Sequence, residues 1–230
     1  MAERVTFTFG ENWKHFLKNS YSEEALLAAT KSLRDFLERD CLGGASFLDI
    51  GCGSGMFSLA AYHLGARVVS VDSDEQSMEC CRFLWKSAGK PADWVMLHGS
   101  ILDESLVKSL RKADIVYIWG VLHHTGRMWD AVRIATRLVK PNGLLYLAIY
   151  NRAEGILGSR FGLSVKRLYN RLPRPVERAA ELFFLPFVGG FLMTLPTSFP
   201  KIRTYRSRRG MSWRHDARDW LGGCPMNTRA

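Results

Sequence analysis

The sequence predicts an open α/β fold, in which helices cover both faces of a mostly parallel sheet. Between residues 45 and 151, apolar runs of strand length alternate with stretches whose apolar residues recur at helical spacing. Two of these strands end in an aspartate, and the first is followed by a glycine-rich turn. Parallel strands need crossover connections of this kind, so the alternation favours a parallel sheet. The 230 residues, 47% of them hydrophobic, are enough for one such domain with added segments.

Residues 1–44 are expected to form an N-terminal arm and one helix. The arm is rich in aromatic residues around Trp13, which would either pack on the core or act as a lid over a bound cation. Ser20 and Glu23 predict a capping box at the start of the helix. Leu26 and Leu33 belong to the apolar face of that helix.

The segment that organises the core is FLDIGCGSG, residues 47–55, a predicted buried strand that ends in a glycine-rich turn. Gly51, Gly53 and Gly55 permit positive φ and allow a ligand to approach the backbone closely. Open α/β sheets bind ligands at the carboxyl ends of their strands, so this turn is the candidate ligand site. A tight connection without a ligand is the alternative. Met56 stands where the dinucleotide-binding pattern needs a small residue, which disfavours a nicotinamide-dependent dehydrogenase.

A second predicted strand, residues 66–72, ends in Asp72. Asp72 follows Gly55 by 17 residues, close to the distance at which an acid on the next strand reaches ribose hydroxyls. A carboxylate has two oxygens, which suits a pair of adjacent hydroxyl groups. The alternative is that Asp72 caps the helix that follows it.

Three more strands are predicted: residues 93–103 with their exit loop, 113–120 and 144–150. His123 and His124 follow the fourth strand. An unperturbed imidazole has a pKa of ~6.5, so either ring could serve as a general base, and either could instead be a structural histidine bound to a loop carbonyl. Before the fifth strand, LVKPNG (residues 138–143) predicts the end of a helix, because proline and glycine together stop it.

Several segments resemble, in this order, the motifs of the class I S-adenosylmethionine (SAM)-dependent methyltransferases. They are D-x-G-x-G-x-G at residues 49–55, the acid Asp72, VLHH at residues 121–124 and L-x-K-P-x-G at residues 138–143. The resemblance covers residues 45–150 and implies a Rossmann-like core. It implies methyl transfer from SAM to an oxygen, nitrogen or carbon nucleophile, with S-adenosylhomocysteine as the product.

The resemblance also implies which residues contact the cofactor. Ser100 stands where relatives usually carry an acid beside the adenine, and the Ile101 N–H would contact the ring edge. His123 is expected on the cofactor wall and His124 on the substrate side. The expected cofactor residues are Asp49, Gly51, Cys52, Gly53, Ser54, Gly55, Asp72, Ser73, Ser100, Ile101, Trp119, Gly120 and Trp13.

The family's fold closes with a sixth strand and an antiparallel seventh. Nothing after residue 150 predicts that pair, so we expect the last two strands to be missing. A truncated chain, a sheet completed by a partner, and a sheet edge covered by the tail are the alternatives. The resemblance therefore identifies the cofactor and leaves the enzymatic activity of this short chain open.

Positive charge is concentrated in residues 152–230, which we expect to form a basic helical extension. Residues 1–150 contain 17 basic and 17 acidic residues, so the whole net charge of +10 lies beyond them. Within the extension, residues 182–200 carry no charge, but Pro186 and Pro196 argue against one membrane-spanning helix. A lid over a hydrophobic acceptor, a segment on an anionic membrane and a packed helical insert are the alternatives.

The RGMSWRHD segment, residues 209–216, is a candidate for acceptor recognition, because arginine suits carboxylate and phosphate. His215 and Asp216 would be a base and the residue that orients it. A solvated basic face with Asp216 as a helix cap is the alternative. The preferred acceptor is small or lipid-like and acidic. A second hypothesis is an RNA methyltransferase or an inactive SAM-binding protein, since the basic tail is interleaved with Trp213 and Trp220.

The five cysteines form no CxxC pair, and no spacing of histidines and cysteines indicates a metal. The N-terminus has no apolar run of the signal-peptide kind. We therefore expect a cytoplasmic protein, with membrane association as an option through the tail. The sequence leaves homo-oligomerisation open.

Overall fold

The computed structural model describes residues 21–149 together with Pro173 and Val176. The chain divides into two units at residues 150 and 151. Trp13, His215 and Asp216 lie outside the described residues, as does nearly all of the second unit. The described elements are α1 (Glu23–Leu37), β1 (Ser46–Ile50), α2 (Met56–His63), β2 (Arg67–Asp72), α3 (Glu75–Ser87), β3 (Trp94–His98), α4 (Glu104–Ser109), β4 (Ala113–Trp119), a 3₁₀ turn (Leu122–His124), α5 (Met128–Arg137) and β5 (Val139–Ala148).

The five strands form one parallel sheet in the order β3-β2-β1-β4-β5. The predicted α/β fold with a parallel sheet is thus confirmed. The order reverses at β1, because β2 and β4 lie on opposite sides of it. In the register of the sheet, Asp49 of β1 stands beside Ser70 of β2 and Tyr117 of β4. Polar and aromatic side chains therefore form a row across one face.

Helices cover both faces of the sheet. On the face that carries Asp49, α1, α2 and α3 pack side by side, and Phe57 of α2 contacts Tyr117. On the other face, Leu48 and Ile118 pack in an apolar cluster with Ala135 of α5. Side chains alternate between the faces of a strand, so adjacent residues of β1 serve different layers. Within the described residues, no helix has the length and apolar character needed to span a bilayer.

The start of α1 differs from the prediction. Ser22, in extended conformation, caps the helix by accepting a hydrogen bond from the Ala25 N–H at 3.2 Å. The predicted capping box of Ser20 and Glu23 is therefore wrong, because Glu23 is already the first helical residue. Ser20 itself lies outside the described residues.

The fifth strand begins earlier than predicted. Val139 already pairs with Ala113, and pairing resumes between Leu144 and Ile115, so residues 140–143 form an irregularity within the strand. A Cβ on Gly143 would lie 2.8 Å from the carbonyl oxygen of Asp114, which explains the glycine. The Pro-Asn-Gly sequence thus interrupts a strand instead of preceding it.

Candidate functional site

The loops after β1, β2 and β4 meet at the carboxyl edge of the sheet. The glycine turn after β1 lies at the point where the strand order reverses, which is where open α/β sheets bind ligands. The turn is fixed to its neighbour by two hydrogen bonds. The Gly51 and Cys52 N–H groups both donate to the Val71 carbonyl, at 2.7 and 3.1 Å.

Each of the three alternating glycines has positive φ, at 74°, 54° and 81°. A Cβ on Gly51 would lie 2.3 Å from the Cγ2 of Val121, in the loop after β4. A Cβ on Gly55 would lie 2.8 Å from the sulfur of Cys81 on α3. The turn therefore fits between the β4 loop and α3 only with glycine at residues 51 and 55. It brings together segments that are distant in sequence.

Asp72 holds the glycine turn from the end of β2. One carboxylate oxygen accepts from the Gly53 N–H and the other from the Asp74 N–H, both at 2.9 Å. Burial raises the pKa of Asp72, and these backbone hydrogen bonds oppose the shift. The cap of α3 is Asp74, whose carboxylate accepts from the Gln76 and Ser77 N–H groups. The alternative that Asp72 caps this helix is wrong, and its ribose contact stays a prediction.

Asp49 is almost completely buried beneath the glycine turn, at 2% exposure. Its Oδ2 accepts a hydrogen bond of 2.6 Å from the Ser58 hydroxyl of α2. Burial raises the pKa of Asp49 to about 7; the Ser58 hydrogen bond lowers it, and the negative charge of Asp72 raises it further. A buried carboxyl group whose pKa lies near neutrality, below a glycine turn, is typical of a functional site.

Sequence reasoning missed two serines that belong to this site. Ser58 Oγ lies 2.6 Å from Ser70 Oγ, and the Trp94 indole N–H donates to Ser70 Oγ at 2.8 Å. Ser70 is a polar residue in an otherwise apolar stretch of β2, which was the available signal. Ser70 lies beside Asp49 only because β2 pairs with β1, and the sequence did not specify that pairing.

Cys52 and Ser54 of the turn are both buried. A hydrogen bond with the Cys81 thiol, together with burial, raises the pKa of Cys52 well above its ordinary value. Cys52 is therefore a neutral thiol. It packs within the turn and does not act as a nucleophile.

The loops after β2 and β3 contribute Ser73, Ser100 and Ile101. The Ser73 side chain is exposed, and its carbonyl contacts the His98 ring at 3.1 Å. Ser100 Oγ accepts from the Leu102 N–H at 3.2 Å, so this hydroxyl shapes its own loop. The Ile101 side chain is part of the core. The adenine contacts of Ser100 and Ile101 stay predictions.

Trp119 and Gly120 end β4 at the same edge. The Trp119 indole is 51% exposed and lies 5.5 Å from the Tyr146 ring. The following 3₁₀ turn holds His123 and His124 with their rings 4.0 Å apart. Burial lowers the pKa of His123, so this imidazole is neutral at pH 7. A neutral imidazole is the form that accepts a proton.

The backbone of the glycine turn indicates what kind of ligand fits it. The N–H groups of Gly51, Cys52, Gly53 and Gly55 all donate to acceptors within the protein. Dinucleotide sites instead direct such groups at a pyrophosphate. These four N–H groups are therefore not free to bind a phosphate, which favours a nucleoside ligand without one. Among the described residues, no group of three histidine, cysteine or acidic side chains is placed to hold a metal ion.

The model of the methyltransferase domain family matches residues 48–147. The ubiquinone biosynthesis O-methyltransferase of Methylobacterium sp. (strain 4-46) is 33% identical over 135 residues, which cover 56% of this chain and 53% of that protein. The enzyme of the same name from Rhizobium rhizogenes is 32% identical over 147 residues, which cover 59% and 57%. The chain spans about half the length of the curated relatives it matches.

A solved structure from Methanococcus maripaludis, described as an S-adenosyl-L-methionine-dependent methyltransferase, has a TM-score of 0.51 and 17% identity. The superposition covers 65% of this chain and 67% of that one. At this identity the likeness supports the fold alone. Residues 48–147 thus match the methyltransferase domain family, and the predicted resemblance to the class I SAM-dependent methyltransferases is confirmed.

Proposed function

We propose that this protein is a SAM-dependent methyltransferase that acts on a small-molecule acceptor. The observation that carries the proposal is the glycine turn at the reversal point of the sheet, with its N–H groups bonded within the protein and Asp72 attached to Gly53. Such a site suits an adenosine group with no phosphate. The relatives are named O-methyltransferases, which favours an oxygen nucleophile on the acceptor.

The residues of this edge would bind and orient the cofactor. The Asp72 carboxylate accepts from backbone N–H groups, among them those of Gly53 and Asp74, and ribose hydroxyls would use its remaining lone pairs. Ser100 and Ile101 would lie beside the adenine, and Trp119 and Gly120 would form the opposite wall. When bound, SAM supplies an electrophilic methyl group on a sulfonium.

The histidines after β4 would serve the acceptor. His123 is the neutral, partly buried ring on the cofactor side, and His124 faces the substrate side in our proposal. Either ring could accept the proton that an acceptor hydroxyl loses on methylation. His215 and Asp216 remain candidates for acceptor recognition outside the described residues.

A small or lipid-like acidic acceptor is preferred because the excess positive charge of the chain lies in residues 151–230. Peripheral contact with a membrane would follow from the same charge. RNA is the second candidate acceptor, and it would reveal itself by binding that weakens steeply as salt rises. A small acceptor would show little such dependence.

The test is calorimetric titration of the 230-residue protein with SAM and S-adenosylhomocysteine. We expect micromolar binding in wild type. In Asp72→Ala the affinity should weaken about 10- to 100-fold, because the two proposed hydrogen bonds between the charged carboxylate and the ribose hydroxyls are lost. The matched control is Asp74→Ala, which removes a carboxylate two residues away that caps α3.

Two results would contradict the proposal. One is a folded wild-type protein that binds neither ligand. The other is an equal loss of affinity in Asp72→Ala and Asp74→Ala, since that would indicate general damage to the loop instead of a lost ribose contact.

A further inference from the structure

Four polar side chains from four elements form one continuous buried chain of hydrogen bonds. Trp94 of β3 bonds Ser70 of β2 at 2.8 Å, Ser70 bonds Ser58 of α2 at 2.6 Å, and Ser58 bonds Asp49 of β1 at 2.6 Å. All four residues are at most 2% exposed. The register places Ser70 directly beside Asp49 across the parallel pair, with Ser58 in contact with both.

The donors of this chain all point towards Asp49. The indole N–H of Trp94 is a donor only, so Ser70 accepts from it. The single hydroxyl hydrogen of Ser58 goes to Oδ2 of Asp49. The hydrogen of Ser70 must then go to the Ser58 oxygen. The chain thus ends on a carboxylate oxygen and leaves the other Asp49 oxygen outside it.

Stability alone does not explain such an arrangement. Buried polar groups cost free energy unless they are paired, and well-packed apolar side chains of similar volume often serve as well or better. A chain that converges on one acidic group beneath the glycine turn has its main effect on that group.

We propose that Ser58, supported by Ser70 and Trp94, is a positioning residue that favours the ionised form of Asp49 beside the glycine turn and thereby sets the affinity for SAM. The inference rests on the proposed function, because it assumes that this turn holds SAM. Asp49 itself was expected among the cofactor residues, whereas the three residues behind it were not.

The other groups around Asp49 oppose its ionisation or stay neutral. Asp72 at the end of β2 adds a negative charge. Burial and the charge of Asp49 raise the pKa of Tyr117 on β4, so this phenol is neutral, as is the Cys52 thiol of the turn. The Ser58 hydroxyl is the neighbour that favours the charged form. SAM carries a sulfonium and an ammonium, so it should bind better when Asp49 is ionised.

The first experiment follows the Asp49 carboxyl in ligand-free protein by ¹³C NMR of labelled aspartate, with Asp49→Asn for assignment. Ser58→Ala should move its titration midpoint upward by about one to two pH units, because a hydrogen bond to the charged form is lost. Ser58→Thr keeps the hydroxyl and should titrate like wild type. Ser77→Ala, the same change at a buried serine of α3, should also leave the midpoint unchanged.

The second experiment measures S-adenosylhomocysteine affinity against pH by calorimetry. In wild type the affinity should fall as the pH falls through the Asp49 midpoint. In Ser58→Ala that fall should occur at higher pH, by the shift seen in the NMR titration, and the two proteins should converge at alkaline pH. A merely structural role would weaken binding equally at every pH.

The outcomes separate the inference from the proposed function. An unchanged Asp49 midpoint in Ser58→Ala, or an equal shift in Ser77→Ala, overturns the inference whatever the ligand does. A parallel loss of affinity across all pH values also overturns it. A wild-type protein that binds no S-adenosylhomocysteine at any pH overturns the proposed function instead, and the carboxyl titration then still decides whether Ser58 controls Asp49.

Discussion

The two ends of the parallel sheet each carry an aspartate, and the two carboxylates are held in opposite ways. At the amino end, Asp114 accepts from the Ser46 N–H at 2.8 Å, the Ser46 hydroxyl at 2.6 Å and the Lys140 ammonium at 2.8 Å. The Lys140 hydrogen bond, followed by those of Ser46, holds the pKa of Asp114 well below its usual range. At the carboxyl end, Asp49 is buried with a serine donor and a second acid nearby, and its pKa is raised to about 7.

The difference separates a structural role from a functional one. The contacts of Asp114 tie β1, β4 and β5 together and favour its charge, so this group supports the fold at neutral pH. Asp49 lies under the glycine turn, and its ionisation opposes folding. A group that reduces stability at the working pH is expected where a ligand must bind.

The largest effect is expected at Gly51. Gly51→Ala would place a Cβ 2.3 Å from Val121 at a φ of 74°, so we expect a loss of about 2–5 kcal/mol in unfolding free energy and loss of S-adenosylhomocysteine binding. Gly126→Ala is the matched control, because Gly126 has a φ of 70° with nothing within 4 Å of its Cβ position. It should lose only ~1–2 kcal/mol. Equal losses in urea unfolding would show that the contact with Val121 is unimportant.

The second prediction concerns the sign of the pH dependence at Asp49. Because the pKa of Asp49 is raised from 3.8 to about 7, its contribution to stability is present below 3.8 and is lost as the pH rises through about 7. Asn cannot ionise. Asp49→Asn should therefore match wild type at pH 4 and exceed it at pH 8 by up to ~4 kcal/mol, while binding S-adenosylhomocysteine more weakly.

Urea unfolding at several pH values would measure this gain, and Asp114→Asn is the natural contrast. The lowered pKa of Asp114 stabilises the fold above 3.8, and that stability is lost as the pH falls through the folded pKa. Asp114→Asn should therefore be less stable than wild type at pH 8 and approach it in acid. A loss of stability at pH 8 in Asp49→Asn would contradict our account of the site.

These contrasts also show how far the sequence could predict the molecule. The alternation of strands and helices, the positive φ of Gly51 and the acids at two strand ends follow from periodicity and local turn chemistry. The pairing of Asp49 with Ser58 and Ser70 does not, because isolated serines in apolar stretches give no periodic signal. They meet only through the register of β1 and β2. The neutral state of His123 likewise depends on burial that only the folded chain provides.

The smallest effect is expected at Lys140. Lys140→Met removes the cation from Asp114 but leaves both Ser46 donors in place. The two charged side chains are 39% and 37% exposed, so solvent screens the pair and the loss at pH 7 should be only ~0.5–1 kcal/mol. The loss should vanish as Asp114 becomes protonated in acid. Lys31→Met, which breaks the exposed pair with Asp35 on α1, should lose less still. S-adenosylhomocysteine affinity should stay unchanged in Lys140→Met, and a weakened affinity would show that the two ends of the sheet do not act independently.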